Sequence, residues 1–130
     1  ILHLVEPLGF NFSDAHLKRA GLDYHDLADL RIHKNFDALL KDVDGNRIFA
    51  FTGHTENNFA DVSYQSGDVL LFGPEPTGLP ARIVAHPAIE SALRIPMMPH
   101  LRSLNLANSA SIAVYEAWRQ LNFTGASLIS

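Results

Sequence analysis

The sequence predicts an α/β protein with a mainly parallel sheet and helices on both faces. Two observations support this fold class. The segments RIFAFT (residues 47–52) and VLLF (69–72) are apolar without a period of two, as in strands that are buried on both faces. Such segments alternate along the chain with segments of helical character. A chain of 130 residues is the size of one domain, so we expect a single domain over residues 1–130.

The first elements are two short strands and the helix between them. Residues 1–5 and 28–33 are β-type runs. Ser13 can cap a helix that continues to about Ala20, and Gly21 is well placed to end it. The chain starts inside the first strand and has no initial Met, so we expect a missing segment upstream of Ile1.

The middle of the chain continues the alternation. Asn35 is predicted to cap the short helix FDALLKDV, which the Asp44-Gly45 turn closes. A third strand covers residues 47–52, and a polar loop, GHTENNFAD, leads to a fourth strand at residues 69–72. The loop after that strand, GPEPTGLP, is stiff because three of its residues are prolines.

The last third is predicted to contain a helical turn at residues 80–85, a short fifth strand at 93–96 and a long helix from about Ser103 to Leu121. Strands thus end near Gly53, Gly73 and Met98. Because ligands of open α/β sheets bind at the carboxyl ends of strands, this convergence predicts a binding site there.

The long helix has an apolar stripe and an unusual start. The predicted stripe has steps of three and four residues: Leu104, Ala107, Ala110, Val114, Trp118 and Leu121. Ser103 is the expected N-cap. Asn105 and Asn108 then either bond to local backbone or hold a polar group that is delivered to the helix N-terminus.

Composition excludes several classes of protein. The absence of cysteine rules out disulfides, thiolate metal sites and a cysteine nucleophile. No apolar stretch approaches the roughly 20 residues of a membrane span. A net charge of −4 argues against binding nucleic acid through the bulk field alone. The net charge does not exclude a local RNA-binding patch. Tyr24 and His25, beside Lys18 and Arg19, either contact RNA or form a packed turn.

The common catalytic motifs are missing. The chain has no G-x-G-x-x-G after its first strand, no G-x-x-x-x-G-K-[ST] and no G-x-S-x-G. Its seven histidines are scattered, and no pair has the helical spacing with a nearby Glu that a zinc hydrolase needs. We interpret them as ordinary surface or core residues.

Three stretches of sequence, taken together, indicate a particular family more specifically than composition or the common motifs do. They are HLVEPLGF with AGLDYHDL, then LLFGPEPTGLP, then RIPMMPHLRSLNLANSASIAVYEAWRQL. They resemble the SPOUT-class RNA methyltransferases over essentially the whole chain, and most closely the tRNA (cytidine/uridine-34) 2′-O-methyltransferase family. The resemblance implies a C-terminal trefoil knot and a bent S-adenosylmethionine bound within it.

The resemblance also implies roles for individual residues. Those matching cofactor-binding positions are Phe51, Thr52, Gly73, Ile95 and Ser103. Those matching catalytic motif positions are Glu75, Arg102, Ser103 and Asn105. Tyr115 matches a tyrosine that lines the site and, with Lys18, Arg19, Tyr24 and His25, makes up the expected RNA-binding set.

The chain departs from the family pattern in three places. The first motif, Asn-x-Gly-x-x-x-Arg, would precede Ile1, and its arginine is implied to activate the ribose hydroxyl, so we expect catalysis to require that segment. Glu75 is followed by Pro-Thr-Gly where Thr-Arg-Gly is common, which stiffens the loop and removes a possible phosphate contact. LNLANS replaces Asn-Leu-Ser-Asn, which keeps Asn105 but moves the serine to position 109.

The implied reaction is a direct displacement in which a ribose 2′-oxygen attacks the sulfonium methyl group. A nearby base or cation must assist loss of the hydroxyl proton, and no metal is required. The resemblance implies a homodimer that acts on the wobble nucleotide of leucine tRNAs, and the absence of cysteine fits a location in the reducing cytoplasm. The alternatives are an inert knotted relative that only binds RNA or cofactor, and an unrelated α/β nucleotide-binding module.

Overall fold

The computed structural model describes residues 1–6, 29–74, 77–99 and 105–126. The chain divides into two compact units, Ile1–Asp44 and Gly45–Ser130. Both units contain parallel strands, and both contain helices. The predicted α/β class with a mainly parallel sheet is therefore confirmed, while the trefoil knot stays a prediction.

In its described residues, 1–6 and 29–44, the first unit contains a two-stranded parallel sheet and one helix. Strand β1 (Leu2–Val5) pairs with β2 (Leu30–His33) in a register that sets Val5 opposite His33. Helix α1 (Phe36–Asp42) follows. Leu39 of this helix is buried, because a helix of this kind packs its apolar side against a neighbouring element. The helix predicted to start at Ser13 lies outside the described residues.

Helix α1 begins where the sequence predicts. The Oδ1 atom of Asn35 accepts a hydrogen bond from the Ala38 amide at 2.9 Å, which satisfies one of the free N–H groups of the first turn. Asp37 lies in the first turn and Lys41 in the last, so both charges interact favourably with the helix dipole. Gly45 adopts a φ of 86°, which confirms the predicted turn after the helix.

The second unit contains a three-stranded parallel sheet in the order β4-β3-β5. Its strands are β3 (Ile48–Phe51), β4 (Val69–Leu71) and β5 (Ile89–Leu93). All four residues of the central strand β3 are buried, as expected from its continuous apolar run. The described part of this unit also contains a 3₁₀ turn (Phe59–Asp61), helix α2 (Ala81–Val84) and helix α3 (Leu106–Gln120).

The predicted position of the fifth strand was wrong. We expected it at residues 93–96, but β5 covers Ile89–Leu93, and only an isolated bridge between Asn58 and Arg94 continues the pairing. Glu90 and Ser91 made the start of this strand look like a loop. The strand tolerates them because, within the described residues, it pairs with β3 on one side and is an edge strand of the sheet.

The predicted start of helix α3 was also wrong. Its N-cap is Asn105 rather than Ser103, and the Asn105 Oδ1 atom accepts from the Asn108 amide at 2.8 Å. Asn105 therefore bonds to local backbone, which is the first of the two interpretations left open for it. Ser103 itself lies outside the described residues.

The buried face of α3 differs from the predicted stripe. Ala113 is completely buried and Ala117 packs against the same core, whereas Val114 is 51% exposed. Successive helical residues point about 100° apart, so a small change in orientation moves Val114 out of the core. The small side chains of Ala113 and Ala117 let the helix approach the sheet closely. Among the described residues, no helix has the length and apolar character of a membrane span.

Candidate functional site

The carboxyl ends of β3, β4 and β5 lie at one edge of the second unit's sheet, because the three strands are parallel and adjacent. Thr52 follows β3 directly, Gly73 comes two residues after β4, and Ile95 comes two residues after β5. The Thr52 amide donates to the Leu93 carbonyl oxygen at 2.9 Å and so holds two of the strand ends together. This is the edge where the sequence predicts a ligand site.

Aromatic side chains form an apolar support behind this edge. The Phe51 and Phe72 rings stack with centroids 4.6 Å apart and planes 19° apart. Phe59 meets the Phe51 ring edge to face at 6.4 Å. Ile95 and Phe72 pack against the core cluster that contains Phe51. Residues at all three strand ends therefore pack in one hydrophobic cluster, which fixes the positions of the loops that follow the strands.

The loop after β4 folds tightly back on Gly73. The Gly78 amide donates to the Pro74 carbonyl oxygen at 2.7 Å, and Gly78 has a φ of 69°. A Cβ atom at position 73 would overlap the backbone of Gly78 and the amide nitrogen of Leu79. Only glycine allows this close approach of two backbone segments, so the tight loop depends on position 73.

An open cleft of about 340 Å³ lies beside the strand ends. Its lining residues are Glu56, Asn58, Arg94, Pro96 and Met97. The volume falls within the range of small-molecule sites, and the lining includes one acidic side chain, Glu56, and one basic side chain, Arg94. Asn58 is fixed at the rim because its Oδ1 atom accepts from the Ala60 amide at 2.9 Å.

Sequence reasoning missed Glu56, Asn58 and Arg94 as candidate site residues. A signal was available for Arg94, which is a cation placed immediately after a strand that ends at the ligand edge. The prediction of β5 at residues 93–96 concealed this signal, because it placed Arg94 inside the strand instead of after its end. Glu56 and Asn58 lie in a long polar loop whose path the sequence does not define.

Helix α3 supplies two further candidates. Asn105 caps its N-terminus, and its side-chain oxygen is engaged by that cap. Tyr115 is 60% exposed and meets the Trp118 ring edge to face, with centroids 5.6 Å apart. The helix is fixed to the loop before β4 by Gln120, which accepts from the Tyr64 amide and donates to the Val62 carbonyl oxygen, both at 2.9 Å.

Ionic contacts stabilise the entry to β4. Asp68 accepts from Arg47 Nη2 at 2.7 Å and from the Gln65 amide at 2.7 Å. Burial alone would raise the pKa of Asp68, but these hydrogen bonds and the nearby guanidinium outweigh it and hold that pKa below its usual range. Burial also raises the pKa of Tyr64 to about 12, so this phenol stays protonated at neutral pH.

Several predicted site residues lie outside the described part of the chain. They are the catalytic candidates Glu75, Arg102 and Ser103 and the RNA-binding candidates Lys18, Arg19, Tyr24 and His25. The expected approach of Gly73 to Ser103 lies outside it for the same reason. The structure places Phe51, Thr52, Gly73 and Ile95 at one sheet edge, and it places Asn105 and Tyr115 on α3.

The residues at this edge fit S-adenosylmethionine. Backbone groups of Gly73, Pro74 and Gly78 are brought together by a loop with no room for a side chain at position 73. Such backbone groups can form hydrogen bonds with an adenine, and the cluster of phenylalanine rings beneath them excludes water. Thr52 adds a hydroxyl at the same edge, where it already accepts from the His54 amide at 3.2 Å.

Comparison with known proteins agrees with the motifs. The model of the SpoU rRNA Methylase family matches residues 1–115. The tRNA (cytidine(34)-2′-O)-methyltransferase of Methylovorus glucosotrophus is 50% identical over 125 residues, which cover 96% of this chain and 81% of that protein. The enzyme of that name from Escherichia coli K12 is 48% identical over 127 residues, which cover 98% of this chain and 81% of that one.

Solved structures give the same result. One described as "Structural insights into the 2-OH methylation of C/U34 on tRNA" superposes with a TM-score of 0.84 at 47% identity, covering 94% of this chain and 79% of the other. An AdoMet-bound rRNA methyltransferase from Sinorhizobium meliloti superposes with a TM-score of 0.74 at 25% identity, covering 92% and 45% of the two chains. The resemblance stated from the motifs is confirmed, and this chain belongs to the SpoU rRNA Methylase family of methyltransferases.

Proposed function

We propose that this protein transfers a methyl group from S-adenosylmethionine to the ribose 2′-oxygen of nucleotide 34 of a tRNA, with leucine tRNAs as its substrates. The observation that carries the proposal is the meeting of Thr52, Gly73 and Ile95 at one sheet edge, because all three match cofactor positions of the family. Identity of about half the residues with named tRNA (cytidine(34)-2′-O)-methyltransferases supports the choice of substrate.

The protein's own part in the reaction is to hold and orient two reactants. When bound, S-adenosylmethionine supplies an electrophilic methyl group. Thr52, Gly73, Ile95 and Ser103 would hold it, largely through backbone groups, so that the ribose oxygen can approach in line. Glu75, Arg102 and Ser103 would assist the loss of the hydroxyl proton.

Asn105 has a narrower role than the motif suggests. Its Oδ1 atom is committed to the Asn108 amide, which leaves the side-chain NH₂ group as the part that can bind a substrate. An amide N–H donates, so Asn105 would bind an RNA or cofactor oxygen at the start of α3. It would not take the proton from the ribose.

RNA would be held by cations and aromatic rings. Lys18, Arg19, Tyr24 and His25 remain our candidates in the first unit, and Tyr115 presents an exposed ring on α3. Arg94 adds a cation at the cleft, where none of the described residues forms an ion pair with it. Phosphate contacts from such cations would position the anticodon loop without reading its sequence.

We further propose that the protein acts as a homodimer in the cytoplasm, where tRNA is modified. The exposed apolar residues of α3 support an interface on this helix, since Val114 and Tyr115 lie next to each other and expose more than half of their area. Trp118 lies one turn further along the same side.

A methylation assay tests the proposed reaction. The full-length gene product is incubated with labelled S-adenosylmethionine and leucine tRNA, and with a matched tRNA that carries deoxyribose at position 34. We expect transfer to the first tRNA and at least a hundredfold less to the second, because only the first has a 2′-oxygen there.

Calorimetry with S-adenosylhomocysteine separates the alternatives. Binding of this product without any transfer to tRNA would favour an inert cofactor-binding relative. Binding no tighter than that of adenosine would favour an unrelated nucleotide module. Equal transfer to both tRNAs would show that the target atom is not the position 34 2′-oxygen.

A further inference from the structure

The first unit holds a cluster of potential metal ligands that the methyltransferase reaction does not use. His3 on β1, His33 at the end of β2 and Asp42 at the end of α1 bring their side chains together on one face of the two-stranded sheet. Their separation in sequence hid this cluster from motif analysis, since His3 and His33 are 30 residues apart. Parallel pairing sets Val5 opposite His33 and His3 opposite Arg31, which places both histidines on the same face.

The three facing atoms form a compact triangle. His3 Nδ1 lies 2.9 Å from His33 Nε2, and Asp42 Oδ2 lies 3.5 Å from the first and 3.7 Å from the second. In a tetrahedral zinc site with bonds of about 2.0–2.1 Å, neighbouring ligand atoms are roughly 3.4 Å apart. The triangle therefore has the size of one face of a zinc coordination sphere. Two histidines and a carboxylate are also a common protein ligand set for zinc.

We propose that His3, His33 and Asp42 form a binding site for a divalent transition metal, with Zn²⁺ as the preferred ion and a water molecule in the fourth position. Without the metal, the two imidazoles share a hydrogen bond between their facing nitrogens. On binding, the ion takes the position of the shared proton, and the ring that donated it changes tautomer by releasing that proton to water and taking one up on its outer nitrogen. Both rings turn slightly so that their lone pairs point at the ion. Each ring then carries its proton on the other nitrogen, His3 on Nε2 and His33 on Nδ1.

The surroundings hold the ligands in place. His33 is only 8% exposed, so packing fixes the position of its ring. Arg31 Nη1 donates to both carboxylate oxygens of Asp42 at 3.0 Å. Such outer hydrogen bonds orient ligating carboxylates in known metal sites.

The role of the ion would be structural. It would link β1, β2 and α1 within the unit Ile1–Asp44, whose described residues form a two-stranded sheet. Isolated two-stranded sheets are marginally stable in water, so a three-point link adds stability where hydrogen bonding is sparse. Its three residues belong to the first unit, whereas the described residues assigned to the cofactor belong to the second.

Metal titration of the full chain tests the proposal. After treatment with EDTA, Co²⁺ is added and its visible absorption bands, which are strong only in tetrahedral sites, are followed; Zn²⁺ affinity is measured by calorimetry. We expect one ion per chain and no response to Mg²⁺, which prefers an all-oxygen shell. Asp42→Asn and His3→Gln should each weaken Zn²⁺ binding at least tenfold.

The matched control is His54→Gln, which removes an exposed histidine from the second unit and should leave binding within about twofold. Nitrogen-detected NMR of the wild-type imidazoles gives a readout that no variant can spoil by misfolding. Zn²⁺ should shift His3 Nδ1 and His33 Nε2 and leave the other histidines unchanged. Absence of binding, equal binding by the site variants and wild type, or shifts confined to other histidines would overturn the proposal.

Discussion

Gly73 matters because it lacks a side chain. The backbone of Gly78 and Leu79 occupies the space that a Cβ atom at position 73 would need. The contact is between backbone segments, which cannot move aside as the end of a flexible side chain can. Closure of the loop, and with it the position of its carbonyl groups, therefore depends on this one residue.

Gly73→Ala should weaken binding of S-adenosylhomocysteine at least tenfold, because the loop must open to accommodate the methyl group. Calorimetry measures the affinity. Gly53→Ala is the matched control, since a Cβ atom there meets nothing within 4 Å. Unchanged affinity in Gly73→Ala would show that this loop does not hold the cofactor.

The Arg47–Asp68 pair predicts a pH-dependent stability. The side chain of Asp68 is 7% exposed and accepts hydrogen bonds from two N–H groups of Arg47 and from the Gln65 amide. Its pKa is lowered in the folded state, so the folded chain holds fewer protons than the unfolded chain near pH 4. The stabilisation is complete at neutral pH and is lost as the pH falls through the unfolded and then the folded pKa.

Asp68→Asn should lower the free energy of unfolding by roughly 2 kcal/mol at pH 7, which is the cost of losing charged hydrogen bonds to a buried acceptor. Urea unfolding at pH 7 and at pH 3 measures the difference from wild type. We expect that difference to shrink at pH 3, where the wild-type carboxylate is also becoming protonated. The exposed Asp44→Asn is the control, and an equal difference at both pH values would contradict the prediction.

At the scale of elements, helix α3 begins through a side chain that the motif assigns to catalysis. Asn105 caps the helix with its oxygen, so its removal affects stability and activity by separate routes. Asn105→Ala should cost about 1 kcal/mol of stability, as loss of an N-cap usually does. Asn105→Asp keeps an acceptor at the cap and should retain that stability, yet it lacks the NH₂ group.

Urea unfolding and methyl transfer, measured on the same variants, separate the two roles. Asn108→Ala is the control for stability, because Asn108 is exposed inside the helix and alanine is a better helix former. We expect Asn105→Asp to fold as wild type and to lose transfer at least tenfold. Full activity of Asn105→Asp would leave the residue with a capping role alone.

At the scale of the whole molecule, the exposed apolar side of α3 predicts a dimer. Light scattering coupled to size exclusion should give twice the 14.3 kDa mass of the chain at micromolar concentration. Val114→Glu should shift the mass to that of one chain, because it places a charge within the proposed interface. Asp61→Lys is the control, since it changes the charge of an exposed residue outside α3 and should stay dimeric. A monomeric wild type would rule out the interface.

The two compact units raise the question of cooperativity. We propose that they unfold together as the single domain expected from chain length. Calorimetry should then give one transition whose calorimetric and van't Hoff enthalpies agree. Two separable transitions would mean that Ile1–Asp44 and Gly45–Ser130 fold independently.

Local signals determined much of this protein from its sequence. Asn35, the helix that it caps and the turn at Gly45 were predictable because their stabilising contacts lie within a few residues. The buried strand β3 was predictable from its apolar run, and the family from three motifs along the chain. The match of Thr52, Gly73 and Ile95 to cofactor positions also came from those motifs.

Tertiary structure alone decided what depends on distant contacts. The face of α3 that is buried, with Ala113 inside and Val114 outside, follows from where the helix meets the sheet. Strand β5 includes Glu90 and Ser91 because its partner β3 pairs with that segment. His3, His33 and Asp42 meet only after β1 and β2 pair in register and α1 packs on them. Periodicity and capping act over a few residues, whereas these positions are set by parallel pairing of segments far apart in the chain.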